Sequence, residues 1–156
     1  MPDVKSMSPE EKEQFHQAAE ARIATFAYRP PAASDKVKEV IPLCRSDLGR
    51  VYVQVVREGG ENNLHYHVNS DTCWTVLRGR ARFYGVDDKL LGEFGPYQGI
   101  LIPGGSRYWF EKAGEEPLEI LQMVGIDKAK GDDRRINLER HKEWMSDTFL
   151  QVYDKS

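Results

Sequence analysis

The sequence predicts an all-β domain of the sandwich or jelly-roll kind, on three observations. Between about residues 36 and 126, short apolar-rich runs follow one another with no helical pattern between them. Glycine, proline, asparagine and aspartate separate the runs, as expected of tight turns. A chain of 156 residues can bury the core of one such domain. Many short strands without interleaved helices are typical of sandwiches and jelly-roll barrels.

An N-terminal helix is predicted before the strands. Ser8 is a capping side chain, Pro9 suits the first helical position, and Glu11 completes a capping box. Apolar residues at helical spacing extend the pattern as one stripe over 8–26: Phe15, Ala18, Ala19, Ile23 and Phe26. The prolines of Tyr28-Arg-Pro-Pro31 end it. We expect this helix to cover its own barrel or a second copy of the chain, and the stripe favours a homodimer.

Nine strands are predicted, and the order of elements divides the chain into three parts. The strands are Val37–Cys44, Arg50–Arg57, Leu64–Val68, Thr72–Arg78, Arg80–Val86, Lys89–Phe94, Gly99–Pro103, Arg107–Lys112 and Leu118–Val124. The parts are a helical extension at 1–35, a barrel at 36–126 and a charged tail at 127–156. A short helix is predicted in the tail, at Ile136–Met145.

Composition excludes several classes of partner. The net charge is −3, and lysine and arginine are scattered, which does not favour nucleic acid or an anionic membrane. No apolar run could span a bilayer, and the first residues lack the apolar stretch of a signal peptide. Cys44 and Cys73 match no metal or redox pair, which favours reduced thiols in a cytoplasmic protein.

The most informative motif is His65-Tyr66-His67. Side chains alternate along a strand, so both imidazoles point the same way and can share one divalent metal. Two other interpretations are open: buried core histidines with satisfied partners, or acids, bases and hydrogen-bond donors in a metal-free pocket.

The surrounding residues resemble the two motifs of the cupin superfamily. Gly59, His65, His67 and Gly79 are in register with the first motif, and Pro103 and Gly105 with the second. The resemblance covers about residues 37–125 and is that of a short, single-domain cupin. It implies a double-stranded β-helix, or jelly-roll barrel. It also implies an open metal site holding iron, manganese, nickel or zinc through two histidines, a glutamate and a third histidine.

This sequence lacks two of those four metal ligands, which weakens the expectation of a metal site. Thr72 stands where the glutamate is expected, Asp71 stands one residue earlier, and Tyr108 replaces the second-motif histidine. A threonine hydroxyl is a poor ligand, and alternation directs Asp71 away from the barrel unless a bulge shifts the register. Tyr108 is a candidate catalytic residue, as a metal ligand, a general acid or a hydrogen-bond donor, and the alternative is a structural ring that fills the barrel mouth.

Four further side chains are candidates for binding a substrate. Gln122 and Gln54 each place a polar amide on the same face as apolar neighbours, so each must find a partner or face outward. Trp74 is expected to form a core or pocket wall, and Phe83 adds an aromatic surface for a ligand to stack on.

These observations favour a metal-dependent enzyme that acts on a small organic substrate, such as a dioxygenase, lyase, isomerase or cyclase. The missing ligands favour instead a metal-free or non-catalytic cupin that binds a sugar or an aromatic acid. A third interpretation is a metal-free acid–base epimerase of the nucleotide-sugar type. That interpretation requires a His–Asp pair, which the sequence does not locate.

Overall fold

The structure of the protein is a computed structural model that describes residues 2–139 and the backbone of residues 152–153. This part of the chain contains one α-helix and eleven strands. The helix is α1 (Pro9–Glu20), and the strands are β1 (Lys38–Arg45), β2 (Gly49–Val56), β3 (His65–His67), β4 (Ser70–Arg78), β5 (Arg80–Tyr84), β6 (Leu90–Phe94), β7 (Gly99–Ile102), β8 (Trp109–Ala113), β9 (Leu118–Ile126), β10 (Arg135–Asn137) and β11 (Val152–Tyr153).

The strands form two facing layers. One layer is a five-stranded antiparallel sheet in the order β1-β2-β9-β4-β7. The other combines the groups β6-β5-β8 and β11-β10-β3. These two groups meet where the backbones of His65 and Tyr108 exchange hydrogen bonds of 3.1 and 3.0 Å. The second layer therefore has two halves, and each half faces a different part of the five-stranded sheet.

The β6-β5-β8 half covers an aromatic and aliphatic core. The Phe83 and Phe110 rings stack with centroids 4.9 Å apart, and Trp74 lies 4.9 Å from Phe110. Val76 and Ile120 reach the same cluster from the five-stranded sheet. This packing follows from alternation: along β4, Thr72, Trp74 and Val76 are buried while their neighbours are less buried.

All nine predicted strands are present, with boundaries within two residues of the prediction. The tight connection between β4 and β5 depends on Gly79, whose φ of +81° is strained for other residues. A Cβ atom there would also lie 2.6 Å from the Pro117 carbonyl oxygen. The motif glycine is therefore needed for the turn itself.

Two helical predictions are corrected. The capping box of α1 is present, but the helix ends at Glu20 and buries none of its residues. Ile23 and Phe26, which were expected to extend its apolar stripe, are exposed beyond its end. No packed surface therefore stabilises the helix beyond Glu20, and the helix depends on its N-terminal cap.

In the tail, Ile136 and Asn137 belong to a strand rather than a helix. The rest of that predicted helix, from residue 140, lies outside the described residues.

The chain on either side of the predicted barrel packs against it. Before β1, the Tyr28 hydroxyl donates a hydrogen bond to Glu119 on the outer face of β9. After β9, β10 pairs with β3 and lies beside both motif histidines. In the described residues, no helix has the length and apolar character needed to cross a membrane.

Candidate functional site

A cavity of about 390 Å³ lies between the five-stranded sheet and the β10-β3 half of the second layer. The inner faces of the strands change character on entering it. Along β9, Leu118 and Ile120 belong to the core, whereas Gln122 lines the cavity. Along β2, Val56 belongs to the core and Gln54 lines the cavity. The cavity is thus the polar continuation of the barrel interior.

His65 is a neutral base in the floor of this cavity. Its side chain is almost fully buried, and its Nδ1 lies 2.7 Å from the Asn63 carbonyl oxygen. A carbonyl only accepts, so Nδ1 carries the proton and Nε2 keeps its lone pair. Burial holds the pKa of His65 well below its usual range, and the nearby charge of Arg135 acts in the same direction.

His67 is held by a carboxylate instead. Its Nδ1 lies 3.2 Å from Oδ2 of Asp133, and the two side chains are 21% and 17% exposed. The other Asp133 oxygen accepts the Asn69 N–H at 3.0 Å. Burial alone would raise the pKa of Asp133, but the hydrogen bonds from His67 and Asn69 outweigh it and lower the pKa. Asp133 is therefore ionised, orients the imidazole and leaves Nε2 of His67 for a ligand.

Tyr108 lines the cavity beside His65 and packs against its ring. Their ring centroids are 4.5 Å apart. Burial raises the pKa of Tyr108 to about 12, although the Trp74 indole opposes the shift, so the phenol is neutral. The Tyr108 hydroxyl is covered and has no well-formed hydrogen bond among the described residues. This placement favours a supporting role over the direct chemistry expected from the sequence.

The other substrate-binding candidates divide between the cavity and the core. Gln54 and Gln122 both line the cavity, where the Gln54 amide donates to Gln122 Oε1 at 2.8 Å. Trp74 lies at the boundary, since it lines the cavity and also packs in the core. Phe83 is fully buried in the core and does not reach the lining, which corrects the sequence-based expectation.

The structure does not bring Asp71 to the two histidines. Asp71 is exposed on the outer face of β4, where its carboxylate accepts the Gly104 N–H at 2.8 Å. The inward position beside it belongs to Thr72, which is buried and neutral. Alternation along β4 therefore continues through this pair, and the bulge that would turn Asp71 inward does not occur here.

Sequence reasoning missed the charged residues of the cavity. Asp133 and Arg135 come from the charged tail, and Lys38 and Arg50 from two predicted strands whose basic residues are not among the sequence-based candidates. One signal was present in the tail. Asp133, Arg135 and Asn137 alternate with period two, as the inward face of a strand does, but nothing in the sequence indicates the strand that they join.

Among the described residues, positive charges outnumber negative ones in the lining of the cavity. These residues contribute Lys38, Arg50 and Arg135 and the carboxylate of Asp133. Arg135 donates from Nη2 to Asn63 Oδ1 at 2.7 Å, and Nζ of Lys38 lies 4.9 Å from the Phe110 ring centroid. Basic groups in a partly enclosed cavity raise the local concentration of anions.

The divalent metal that the resemblance implies is not a good fit to these groups. Among residues 2–139, no cluster of three or more His, Cys, Asp or Glu side chains is placed to hold a metal ion. Zinc sites, for comparison, use three or four protein ligands. Here two imidazoles remain as donors, and three basic side chains share their cavity and repel a cation.

Comparison with known proteins agrees with the architecture. No protein-family model matches the sequence, and no curated protein matches it. Among solved structures, an uncharacterised protein with a double-stranded β-helix domain from Klebsiella pneumoniae is 19% identical, with a TM-score of 0.60, over 78% of this chain and 95% of that one. A cupin superfamily protein from Desulfitobacterium hafniense is 19% identical, with a TM-score of 0.54, over 68% and 99%. KdgF from a Halomonas species is 10% identical, with a TM-score of 0.57, over 67% and 94%.

These likenesses concern the fold. The chain has the double-stranded β-helix architecture of the cupins, as the two sequence motifs imply. At such identities no activity is transferred with the architecture, so the function must be argued from the cavity of this chain.

Proposed function

We propose that this protein is a small-molecule enzyme that binds an organic anion in the barrel cavity and catalyses metal-independent proton transfer beside a carbonyl group. Reactions of this class include isomerisation, epimerisation and elimination. The observation that carries the proposal is the Asp133–His67 pair, which lies in a cavity with a positive balance of charge. The cavity volume of about 390 Å³ suits a metabolite-sized ligand.

Binding is assigned to the basic side chains. Arg135 lies in the lining, donates a hydrogen bond to Asn63 and is the guanidinium that we assign to the carboxylate of the ligand. Arg50 lies on the five-stranded side of the same cavity. Loss of a proton beside a carbonyl places negative charge on the carbonyl oxygen, and fixed cations stabilise that charge as it develops.

Proton transfer is assigned to His67. Its Nδ1–H is held by Asp133, so Nε2 is the nitrogen that takes up the proton and returns it. The carboxylate stabilises the imidazolium formed in between and keeps the ring in one orientation. The neighbouring His65 stays neutral, so it does not add a second positive charge beside that imidazolium.

The test is hydrogen–deuterium exchange of small oxo acids in D2O, followed by nuclear magnetic resonance. Pyruvate, 2-oxobutyrate, 2-oxoglutarate and acetoacetate are incubated with the full chain after dialysis against a chelator, and its metal content is measured. We expect exchange that survives chelation and that falls by at least about 100-fold in His67→Gln. Asp71→Asn is a matched control, because this carboxylate lies outside the cavity.

Three results would contradict the proposal. Activity that requires a stoichiometric metal would support the interpretation in which the two histidines bind a metal. Binding of anions without exchange would indicate a non-catalytic cupin. Exchange that His67→Gln leaves unchanged would remove the proposed base.

A further inference from the structure

Lys38 is a cavity residue that the proposed proton transfer does not use. It begins β1 at the edge of the five-stranded sheet and lines the same cavity as His67. The histidines, Asp133 and Arg135 enter from the β10-β3 half of the other layer. A ligand in the cavity would therefore have the amine on one side and the proton-transfer pair on the other.

The surroundings of Lys38 act on its protonation in opposite directions. The side chain is partly buried, and its Nζ lies over the Phe110 ring, a cation–π contact that favours the ammonium form and holds the group at the boundary of the core. Arg135 contributes a second positive charge nearby, and Glu61 acts in the opposite direction. A lysine that is desolvated and placed beside another cation is a recognised arrangement for covalent catalysis with carbonyl substrates.

The protonation state of Lys38 agrees with this arrangement. Burial, together with the charge of Arg135, lowers the pKa of Lys38 to about 7. A substantial fraction of the side chain is then an uncharged amine at neutral pH, whereas an ordinary lysine, with a pKa of 10.5, is almost entirely ammonium.

We infer that Lys38 condenses with the carbonyl group of an oxo acid whose carboxylate is held by Arg135. The uncharged amine attacks the carbonyl carbon and a C–N bond forms; the carbonyl oxygen takes both amine protons and leaves as water, and one proton from solvent stays on the nitrogen, which gives an iminium ion with no change in oxidation state. Water reverses the step. The iminium acidifies the neighbouring C–H bond, whose proton His67 removes. This inference rests on the proposed function, which does not itself require a covalent intermediate.

The experiment is reductive trapping. The full chain is incubated at pH 7 with pyruvate, 2-oxobutyrate, 2-oxoglutarate or acetoacetate in the presence of sodium cyanoborohydride, and adducts are mapped by peptide mass spectrometry. We expect one adduct on Lys38, at least about tenfold above that on any solvent-exposed lysine, because the free-amine fraction is so much larger.

The matched control is Lys112. Its side chain is only 8% exposed, but it contacts Glu58 and the Gly114 carbonyl and does not line the cavity. Lys112→Met is expected to leave the adduct unchanged, and Lys38→Met to remove it. Because the mapping is done on the wild-type chain, the result does not depend on the folding of a variant.

Failure of this inference can be distinguished from failure of the proposed function. Absence of a Lys38 adduct with every probe, or labelling spread over exposed lysines, overturns the inference. If His67-dependent exchange persists in that case, the proposed function stands without a covalent step. If exchange is also absent, both fail.

Discussion

The two halves of the second layer face the same five-stranded sheet and enclose opposite kinds of interior. Opposite β6-β5-β8, the interior is apolar and close-packed, with Phe83 stacked on Phe110. Opposite β10-β3, the interior is a cavity to which the described residues contribute two imidazoles, three basic groups and one carboxylate. Gln54 and Gln122 mark the change along their strands. One half of the barrel interior therefore contributes most of the stability. The other half contains the polar and charged groups of the candidate site, which lower the stability of the fold.

The largest effect on stability is expected in the apolar half. Phe83→Ala removes a fully buried ring that stacks on two others, and we expect a loss of about 3–5 kcal/mol in the free energy of unfolding. Urea unfolding followed by tryptophan fluorescence measures it. An equally large loss from His67→Gln, whose side chain is partly exposed, would contradict the division between the halves.

The next effect is kinetic and belongs to the polar half. Asp133→Asn keeps the size of the side chain but removes the charge that orients His67 and stabilises its imidazolium. We expect oxo-acid exchange to fall by about 10²-fold or more, with the thermal midpoint changed by a few degrees only. Exchange rates and thermal midpoints are measured on the same samples. If Asp133→Asn exchanges at the wild-type rate, the pair has no catalytic role.

A third prediction concerns affinity. Arg135→Gln removes the guanidinium that is proposed to hold the carboxylate, and we expect oxo-acid binding to weaken about tenfold or more. Isothermal titration calorimetry measures the affinity. Arg82→Gln is the control, because Arg82 is exposed on the outer face of β5 and pairs with Glu93. Equal weakening in both variants would indicate only a non-specific effect of charge.

A fourth prediction concerns the amount by which Lys38 lowers the free energy of unfolding, as a function of pH. The ordinary pKa of the side chain in the unfolded chain is 10.5, and in the folded protein it is about 7. Between these values the unfolded chain binds a proton that the folded protein does not, so Lys38 destabilises the fold. The penalty is complete below about pH 7 and fades as the pH rises toward 10.5. Lys38→Met should therefore raise the thermal midpoint at pH 7, and the gain should shrink by pH 10.

Thermal unfolding at several pH values measures this gain, at about 2–4 °C for each kcal/mol in a domain of this size. Lys112→Met, which loses its contact with Glu58, is expected to give no gain at either pH. A gain from Lys38→Met that is the same at pH 7 and pH 10 would show that burial does not shift this lysine.

The smallest effect is expected at Tyr108. Its hydroxyl is covered, while its ring supports His65 at 4.5 Å. Tyr108→Phe keeps the ring, so the exchange rate should stay within about threefold of the wild type, which corresponds to less than 1 kcal/mol in the barrier. A loss of 100-fold would restore the direct chemical role that the sequence suggests.

The apolar half of the barrel could be predicted from the sequence more fully than the polar half. The strands and the apolar half follow from local patterns: alternation along β4 places Trp74 and Val76 inward, and Gly79 marks the turn after it. His65 and His67 were found because their spacing is itself a motif. Gln54 and Gln122 were found because a polar amide on an apolar face needs a partner, and they are each other's partner.

The partners of the histidines could not be found in the same way. Asp133 reaches His67 from a position 66 residues later in the chain, and Asn63 acts through a backbone carbonyl that has no sequence signature. Both depend on β10 crossing back to β3, a long-range pairing that local patterns do not specify. The length of α1 was overestimated for a different reason. The apolar stripe is a local pattern, and a stripe prolongs a helix only where another part of the protein buries it.

In the proposed function, the polar half performs proton transfer through His67 without a metal. The most direct measurement is deuterium incorporation into the probe oxo acids by metal-free wild-type protein and by metal-free His67→Gln, at equal concentration in one buffer with a chelator. We expect exchange by the wild type and a rate at least about 100-fold lower for the variant. Equal rates, or exchange that appears only after a divalent metal is restored, would contradict it.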